Sequence, residues 1–352
     1  MTRLNYFALL LATSRTSQAF HRPPLSSLDN NIIIWDRRKW RSVSCSSELY
    51  SSFDLTPDQY LEFGGSSFRG EQNVRIAYRY FVPSVQPKNS AKTTVVFLNG
   101  LLSNMSGIKS KSIQQFANEK GASYVCFDYR GHGNSSGIFI DCTMHTWIED
   151  ARNMIEHAMN LAGDGEEQKV ILIGSSIGAW IALHLALECA QHNISGLIGI
   201  GSAIDFTQHT FEKKLTEEQQ SILTTNEQTK FNNPTVNVHS PYLTEMYPFS
   251  QALYESGNEY LLCNDSYPVS YRGNYMDITD SDVKCSSPVR IVFLHGSDDD
   301  VAPSSTITKT VDIIQSKYHV KDVSAKILNG GDHRLSREDD IAVILDTLDE
   351  ML

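Results

Sequence analysis

Three short stretches carry the side-chain types that acyl-transfer chemistry needs. The first is GSSIG, Gly174–Gly178, directly after the apolar run Val170–Ile173. A serine hydroxyl is a weak nucleophile until a neighbouring base takes its proton. A sharp strand-to-helix turn presents the hydroxyl to both substrate and base, but it crowds the residues two before and two after. Only Ser176 has glycines at both places, Gly174 and Gly178; Ser175 has Ile173 behind it. A helix opening here also points its N–H groups and positive dipole end at the reacting oxygen. Taken alone, the five residues read equally well as a Gly/Ser turn without chemistry.

The second stretch is FLHGSDDDVAP, Phe293–Pro303, where Asp298, Asp299 and Asp300 cluster past an apolar strand. A carboxylate there would hold a histidine in one tautomer and compensate it once it becomes imidazolium. A solvated acidic loop is the plainer alternative. Calcium is disfavoured, because the spaced ligands and turn glycine of an EF-hand are missing. The third stretch is LNGGDHRLS, Leu328–Ser336, with His333 in a glycine-marked loop. A lone histidine is ordinary surface, but this one follows both serine and acid in chain order, where a general base is needed. A fourth piece is FLNGLLSNMSG, Phe97–Gly107. The Leu101 N–H there, with that of Ile177, is positioned to form an oxyanion hole, each donor worth about 3 kcal/mol in the transition state.

Such side chains need a rigid frame. Apolar strand patterns at Thr93–Gly100, Ser123–Gly133, Lys169–Ser176, Ser195–Ile204 and Pro288–Gly296 alternate with helical patterns. That rhythm predicts an α/β fold with a mostly parallel sheet covered on both faces. Asn73–Val82 alternates like an early antiparallel strand, and Ser336–Leu352 closes as an amphipathic helix with Ile341, Ile344, Leu345 and Leu348 on one stripe. About 80 residues separate the strand near Ile200 from that at Val289, too many for a loop inside a compact sheet. Residues 208–287 are therefore expected to form a helical lid over one end of the sheet. In open parallel sheets ligands sit at the carboxyl ends of the strands, where all four stretches fall.

The net charge of −11 disfavours nucleic acid as a partner. The six cysteines form no C-x-x-C pair, which argues against a zinc ribbon; Cys263 and Cys285 could pair across a loop. Neither a Walker A loop, H-E-x-x-H, nor a dinucleotide G-x-G-x-x-G is present. His132, in RGHGNSSG, reads as a turn residue, and Cys126 as core. Residues 1–47 hold seven Lys or Arg against two Asp. They begin with a short basic start and the apolar stretch Leu4–Ala12, too short to span a bilayer. Small residues at Ser17 and Ala19 then precede Phe20 and a Ser-rich, basic run. This reads as a two-part targeting presequence of the plastid kind, with a mitochondrial or secretory leader as the alternatives. Residues 48–352 would be the mature domain, without stable membrane insertion.

LNGLLSNMSGIKS, FDYRGHGNSSG, GSSIGAWIAL, HGSDDDVAP and GGDHRLSREDDI together resemble the α/β-hydrolase serine esterases. The likeness covers most of 73–350. It is closest to the branch holding bacterial carboxylesterases and a mitochondrial acyl-glucuronide esterase/palmitoyl-protein thioesterase. The family's H-G-x-x-D-x-x-V-P pattern, counted from His295 and Gly296, implies Asp299 as the acid, with Ala302 in place of the usual valine. Asn99-Gly100 stands where many such enzymes have His-Gly, and Asn264–Ser287 looks inserted. The resemblance implies a Ser176–His333–Asp299 triad, oxyanion donors at Leu101 and Ile177, and hydrolysis of an ester or thioester through an acyl-enzyme. It implies no cofactor and no metal. Tyr242, Met246, Tyr247 and Phe249 would line an apolar acyl pocket under the lid. Substrates would be small molecules or acylated proteins. A non-catalytic receptor on the same fold, or acyl transfer to an acceptor other than water, are the competing readings.

Overall fold

The computed structural model describes residues 32–35, 58–64, 73–83, 92–163, 168–187, 193–224, 233–242, 246–262 and 289–352. In chain order the strands are β1 (Ile32–Trp35), β2 (Gln59–Phe63), β3 (Val74–Phe81), β4 (Thr93–Leu98), β5 (Ser123–Phe127), β6 (Lys169–Ser175), β7 (Ile194–Ile200), β8 (Thr235–Val238), β9 (Tyr247–Ser250), β10 (Arg290–Gly296) and β11 (Val323–Leu328). The helices are α1 (Ile108–Glu119), α2 (Met144–Ala162), α3 (Ile177–Leu187), α4 (Phe206–Lys214), α5 (Glu217–Leu223), α6 (Gln251–Asn258), α7 (Ser304–Lys317) and α8 (Glu338–Asp349).

The main sheet runs β1-β11-β10-β7-β6-β4-β5-β3-β2. From β1 to β5 every neighbouring pair is parallel; β3 and β2 add antiparallel strands at one edge. Strands buried on both faces need apolar residues without alternation, and Val95–Leu98, Val170–Ile173 and Ile291–Leu294 provide them. The alternation read at Asn73–Val82 becomes β3. Val74 and Ile76 are buried while Arg75 is exposed.

α3 is buried along its whole length, Ile177–Leu187, as a helix apolar on every side must be. It follows β6, the middle strand of the sheet, after one residue, so the turn between them lies at that strand's carboxyl end. α2 packs over α3, begun by a capping box in which Thr143 Oγ1 accepts from Thr146 N. α8 puts Glu338, Asp339 and Asp340 in its first turn, where the helix dipole favours negative charge.

The segment between β7 and β10, expected to be a helical lid, is not helical throughout. α4, α5 and α6 are joined by an antiparallel pair, β8 with β9. Four-residue strands flanked by Pro and Asn leave no readable periodicity. Residues 263–288, with Cys263, Cys285 and the expected Asn264–Ser287 insertion, lie outside the described residues. So does the N-terminal segment 1–47, apart from Ile32–Trp35, which runs parallel to the outer edge of β11. No helix among the described residues is long and apolar enough to cross a membrane.

Candidate active site

Ser176 is the single residue between β6 and α3. Its φ is +55°, a left-handed conformation that costs a non-glycine residue about 1–2 kcal/mol. The surroundings hold it there. Its N–H donates to Ile200 C=O at 2.9 Å, and its carbonyl accepts from Ala179 and Ala203 N–H at 3.0 and 3.2 Å. The flanking glycines are dictated by backbone, not by side chains. A Cβ at position 174 would lie 2.4 Å from the Gly178 carbonyl oxygen, and one at 178 would lie 2.4 Å from that of Leu98. Ser175 is the last residue of β6 and is buried.

His333, in the loop between β11 and α8, places Nε2 2.9 Å from Ser176 Oγ. Its Nδ1 is 2.9 Å from Asp299 Oδ2. A carboxylate accepts, so Nδ1 carries the proton and Nε2 is free to accept from the serine hydroxyl. Asp299 Oδ1 accepts from the Val301 and Ala302 N–H groups, both at 2.9 Å. Burial pushes the Asp299 carboxyl up, but the His333 hydrogen bond and charge and the Ala302 N–H outweigh it. The net shift is below the usual carboxylate value. Its neighbours are differently placed. Asp298 and Asp300 are exposed; Asp298 accepts from Ser297 Oγ and Asp300 from Tyr242 Oη.

The loop after β4 lies against this turn. A Cβ at Gly100 would sit 3.3 Å from Ser176 Cβ. The loop is braced from below: Asn99 Nδ2 donates to Phe127 C=O at 2.7 Å, and Met105 N–H to Asp128 Oδ1 at 2.8 Å. Leu101 sits in it, half-buried, while Ile177 opens α3, where first-turn N–H groups have no intrahelical partner. Of the two expected oxyanion donors, Ile177 follows Ser176 in the chain and Leu101 follows Gly100 in the loop against it.

The four residues expected under the lid divide. Tyr242 lies over His333, ring centroids 5.7 Å apart, with its Oη donating to Asp300 at 2.9 Å. Its carbonyl accepts from Arg334, whose guanidinium also covers the ring. Tyr247 and Phe249 are buried inside the insert, Phe249 packing on Phe206 and Tyr254. Met246 is 61% exposed. A cavity of about 300 Å³ lies between α4 and the start of α7. Ala203, beside Ser176, and Ala302, beside Asp299, line it, but Ser176 and His333 do not.

Two histidines carry more than the sequence reading gave them. His132 lies in a turn, as expected, its N–H donating to the Tyr129 carbonyl at 3.0 Å. It is buried among Tyr129, Phe139 and Trp147, and burial holds its pKa down at about 4. His295 served the sequence reading only as a landmark for counting to Asp299. It too is buried, with Nε2 3.2 Å from Asp299 Oδ2. Its place in a strand buried on both faces was the available signal. No group of three or more His, Cys, Asp or Glu that would hold a metal exists among the described residues.

Residues 89–340 match the Hydrolase_4 family, described as serine aminopeptidase, S33. The mouse mitochondrial palmitoyl-protein thioesterase ABHD10 is 28% identical over 318 residues, covering 89% of this chain and 94% of that protein. A crystal structure of a candidate hydrolase from Agrobacterium vitis S4 is 27% identical with a TM-score of 0.65, covering 84% of this chain and 98% of the other. The mouse α/β hydrolase domain-containing protein 10 superposes with a TM-score of 0.60 at 24% identity, over 84% of this chain and 97% of that one, a likeness of fold.

Proposed function

Because the chain belongs to the Hydrolase_4 family of α/β-hydrolases, described as serine aminopeptidase, S33, we propose that it hydrolyses carboxylic esters or thioesters through an acyl-enzyme on Ser176. The observation that carries this reading is the continuous relay from Ser176 Oγ through His333 to a buried Asp299 whose other oxygen is tied to backbone. His333 Nε2 takes the serine proton as Oγ attacks the carbonyl carbon. Asp299 holds the tautomer and compensates the imidazolium. The Leu101 and Ile177 N–H groups receive the developing oxyanion. His333 then returns the proton to the leaving alcohol or thiol, and a water activated by the same nitrogen releases the acid.

An acyl thioester is supported as substrate by the relatives named palmitoyl-protein thioesterase, and the aromatic strap of Tyr242 over the base supports an apolar acyl group. Acylated small molecules and acylated proteins both fit this chemistry. Residues 208–287 would act as the cap that selects among them. Residues 1–47, basic and acid-poor, would be an organelle-targeting segment. The relatives' description as mitochondrial supports that organelle, and the two-part layout supports a plastid. Imaging a fusion of residues 1–60 separates the two.

The deciding experiment is labelling by a fluorophosphonate probe, then turnover of p-nitrophenyl esters and acyl thioesters of graded chain length. Labelling at Ser176 that Ser176→Ala abolishes is the expected result. Labelling that survives the substitution rejects the nucleophile. Absence of turnover across the panel favours a receptor on the same fold. Aminoacyl p-nitroanilides in the panel test the peptidase chemistry for which the family is described.

A further inference from the structure

We propose that His295 is a positioning residue, a second histidine on the same carboxylate that holds Asp299 in the rotamer reaching His333. The inference rests on the triad reading above. His295 is the penultimate residue of β10 and is fully buried. Its Nε2 lies 2.5 Å from the Ala302 carbonyl oxygen. A carbonyl oxygen only accepts, so Nε2 carries the proton. The same N–H lies 3.2 Å from Asp299 Oδ2, the oxygen that faces His333. The donor is therefore forked between the acid and the turn that presents it.

The result is a closed frame. Oδ1 is held by the Val301 and Ala302 amides, and Oδ2 is shared by two imidazoles. Ala302 gives its N–H to the acid and its C=O to His295, so one peptide unit fixes both partners. Rotation of the carboxylate about its Cβ–Cγ bond would break contacts on both oxygens at once.

The two histidines are not interchangeable. His333 Nε2 has the serine hydroxyl before it. His295 Nδ1 is buried with no hydrogen-bond partner among the described residues. A proton there would be an unpartnered buried donor, on a ring whose charging His333 also opposes. Burial lowers the His295 pKa, with His333 adding to that and Asp299 and the Ala302 carbonyl opposing it. The charged and titratable groups around it are Asp299 on its own loop and His333 on the loop before α8, with Lys214 of α4, Asp300 and Tyr242 around that pair. His295 thus stays neutral while His333 gains and loses the catalytic proton.

A neutral donor on Oδ2 also draws charge from the oxygen that compensates the imidazolium. Losing that donor leaves Oδ2 more basic, which favours the imidazolium. The acidic limb of kcat/KM then moves to higher pH, while the freed carboxylate lowers kcat.

The test compares His295→Leu with His295→Gln in the full chain. Melting temperature and fluorophosphonate labelling are measured alongside kcat, KM and the pH profile on one p-nitrophenyl ester. His295→Leu is expected to lose about 10–100-fold in kcat, as removal of an outer support does at metal-site histidines, with KM changed less than about twofold. Its acidic limb moves up. His295→Gln keeps an N–H at similar reach and restores most of both. A folded Leu variant with wild-type kcat and an unmoved limb overturns the proposal, as do equal losses in both variants. If the Leu variant does not fold, His295→Asn replaces it, carrying the same amide one methylene shorter. Rescue by Gln over Asn supports the assignment, and equal behaviour overturns it. Wild-type protein that is not labelled at Ser176 removes the triad reading itself, a failure seen before any substitution is made.

Discussion

Two loops at the carboxyl end of the sheet carry almost the same vocabulary and put it to different use. The loop after β5, Asp128–Gly137, contains a buried aspartate and a buried histidine, His132; the loop after β10, Ser297–Pro303, contains a buried aspartate and follows a buried histidine, His295. In the first, Asp128 Oδ1 accepts from Met105 N–H and Oδ2 from Asn134 N–H, so backbone groups occupy both oxygens. His132 turns Nδ1 to the Arg130 carbonyl and buries its other edge among aromatic rings. In the second, Asp299 gives only Oδ1 to backbone and leaves Oδ2 to two imidazoles, those of His295 and His333, and the far nitrogen of His333 reaches Ser176. Residue type does not separate scaffold from reactive group here. What separates them is whether a whole carboxylate oxygen is left without a backbone donor: none is at Asp128, and Oδ2 is at Asp299.

The largest effect should come from exchanging amides for these two acids. Asp299→Asn, which favours the wrong tautomer of His333, is expected to lower kcat by about 10⁴-fold with a melting temperature near that of the wild type. Asp128→Asn should leave kcat within about tenfold and instead cost about 1–3 kcal/mol of stability, the penalty for disturbing buried hydrogen bonds. Steady-state kinetics and urea unfolding on both variants check the contrast. A reversed pattern would break the distinction drawn between the loops.

Next in size is the ion pair behind the first loop. Arg130 is fully buried, with Nε 2.6 Å from Asp150 Oδ1 and Nη2 on the Thr146 carbonyl and on Glu149. Its own N–H also donates to Asp150 Oδ2. Asp150→Ala removes the fully buried partner of this guanidinium, leaving it the partly exposed Glu149, and should cost about 3–5 kcal/mol. The protein that still folds should label at Ser176 at the wild-type rate, because no atom of this pair touches the relay.

Much of this arrangement can be read from residues alone, for physical reasons that also mark where reading stops. Ser176 is legible because turn crowding is local: the glycines at 174 and 178 meet backbone within a few residues or in the adjacent strand. The parallel sheet is legible because double-sided burial removes alternation from β4, β6 and β10. Asp299 is not separable from Asp298 and Asp300 by type. Burial distinguishes it, and burial depends on how β10 and β11 bring their loops together. His132 is legible as a turn residue from GHGNSSG, but its burial is not, because the rings enclosing it come from Phe139 and Trp147, further along the chain. The β8–β9 pair is too short to show a period. His295 looks like part of a motif, and only coordinates reveal that it and His333 share one oxygen.

A pH experiment sharpens the histidine half of the comparison. Folded His132 takes a proton only below about 4, against 6.5 for the ordinary side chain. Between those values the unfolded chain holds more protons, so this contribution is complete above pH 6.5 and is lost as pH falls toward 4. The full span is worth about 3 kcal/mol. His184, pushed down to about 3 by burial in α3, acts in the same direction. His132→Phe, which suits the aromatic surroundings, should therefore lose less stability than the wild type between pH 7 and pH 4.5. Equal losses of unfolding free energy in the two proteins between the two pH values, read from denaturant titrations, would show that His132 does not contribute.

The smallest effect concerns how the insert fastens to each loop. Near the first loop, Asn233 Nδ2 donates to the Ile140 carbonyl at 2.9 Å and Asn233 Oδ1 accepts from Ala252 N–H, both partly buried. At the second, Tyr242 Oη donates to Asp300 at an exposed position. Solvent competes for the second bond but much less for the first. Asn233→Ala is therefore expected to cost about 1–2 kcal/mol through unsatisfied backbone groups, seen as a lower melting temperature. Tyr242→Phe keeps the ring over His333 and loses only the exposed bond, worth at most about 1 kcal/mol. It should leave the melting temperature and kcat nearly unchanged while raising KM by about twofold to fivefold for long acyl chains, because the strap over the base is less often closed. A Tyr242→Phe variant that loses kcat instead would move this hydroxyl from the cap's fastening into the reaction at His333, and the contrast between the two attachments would no longer hold.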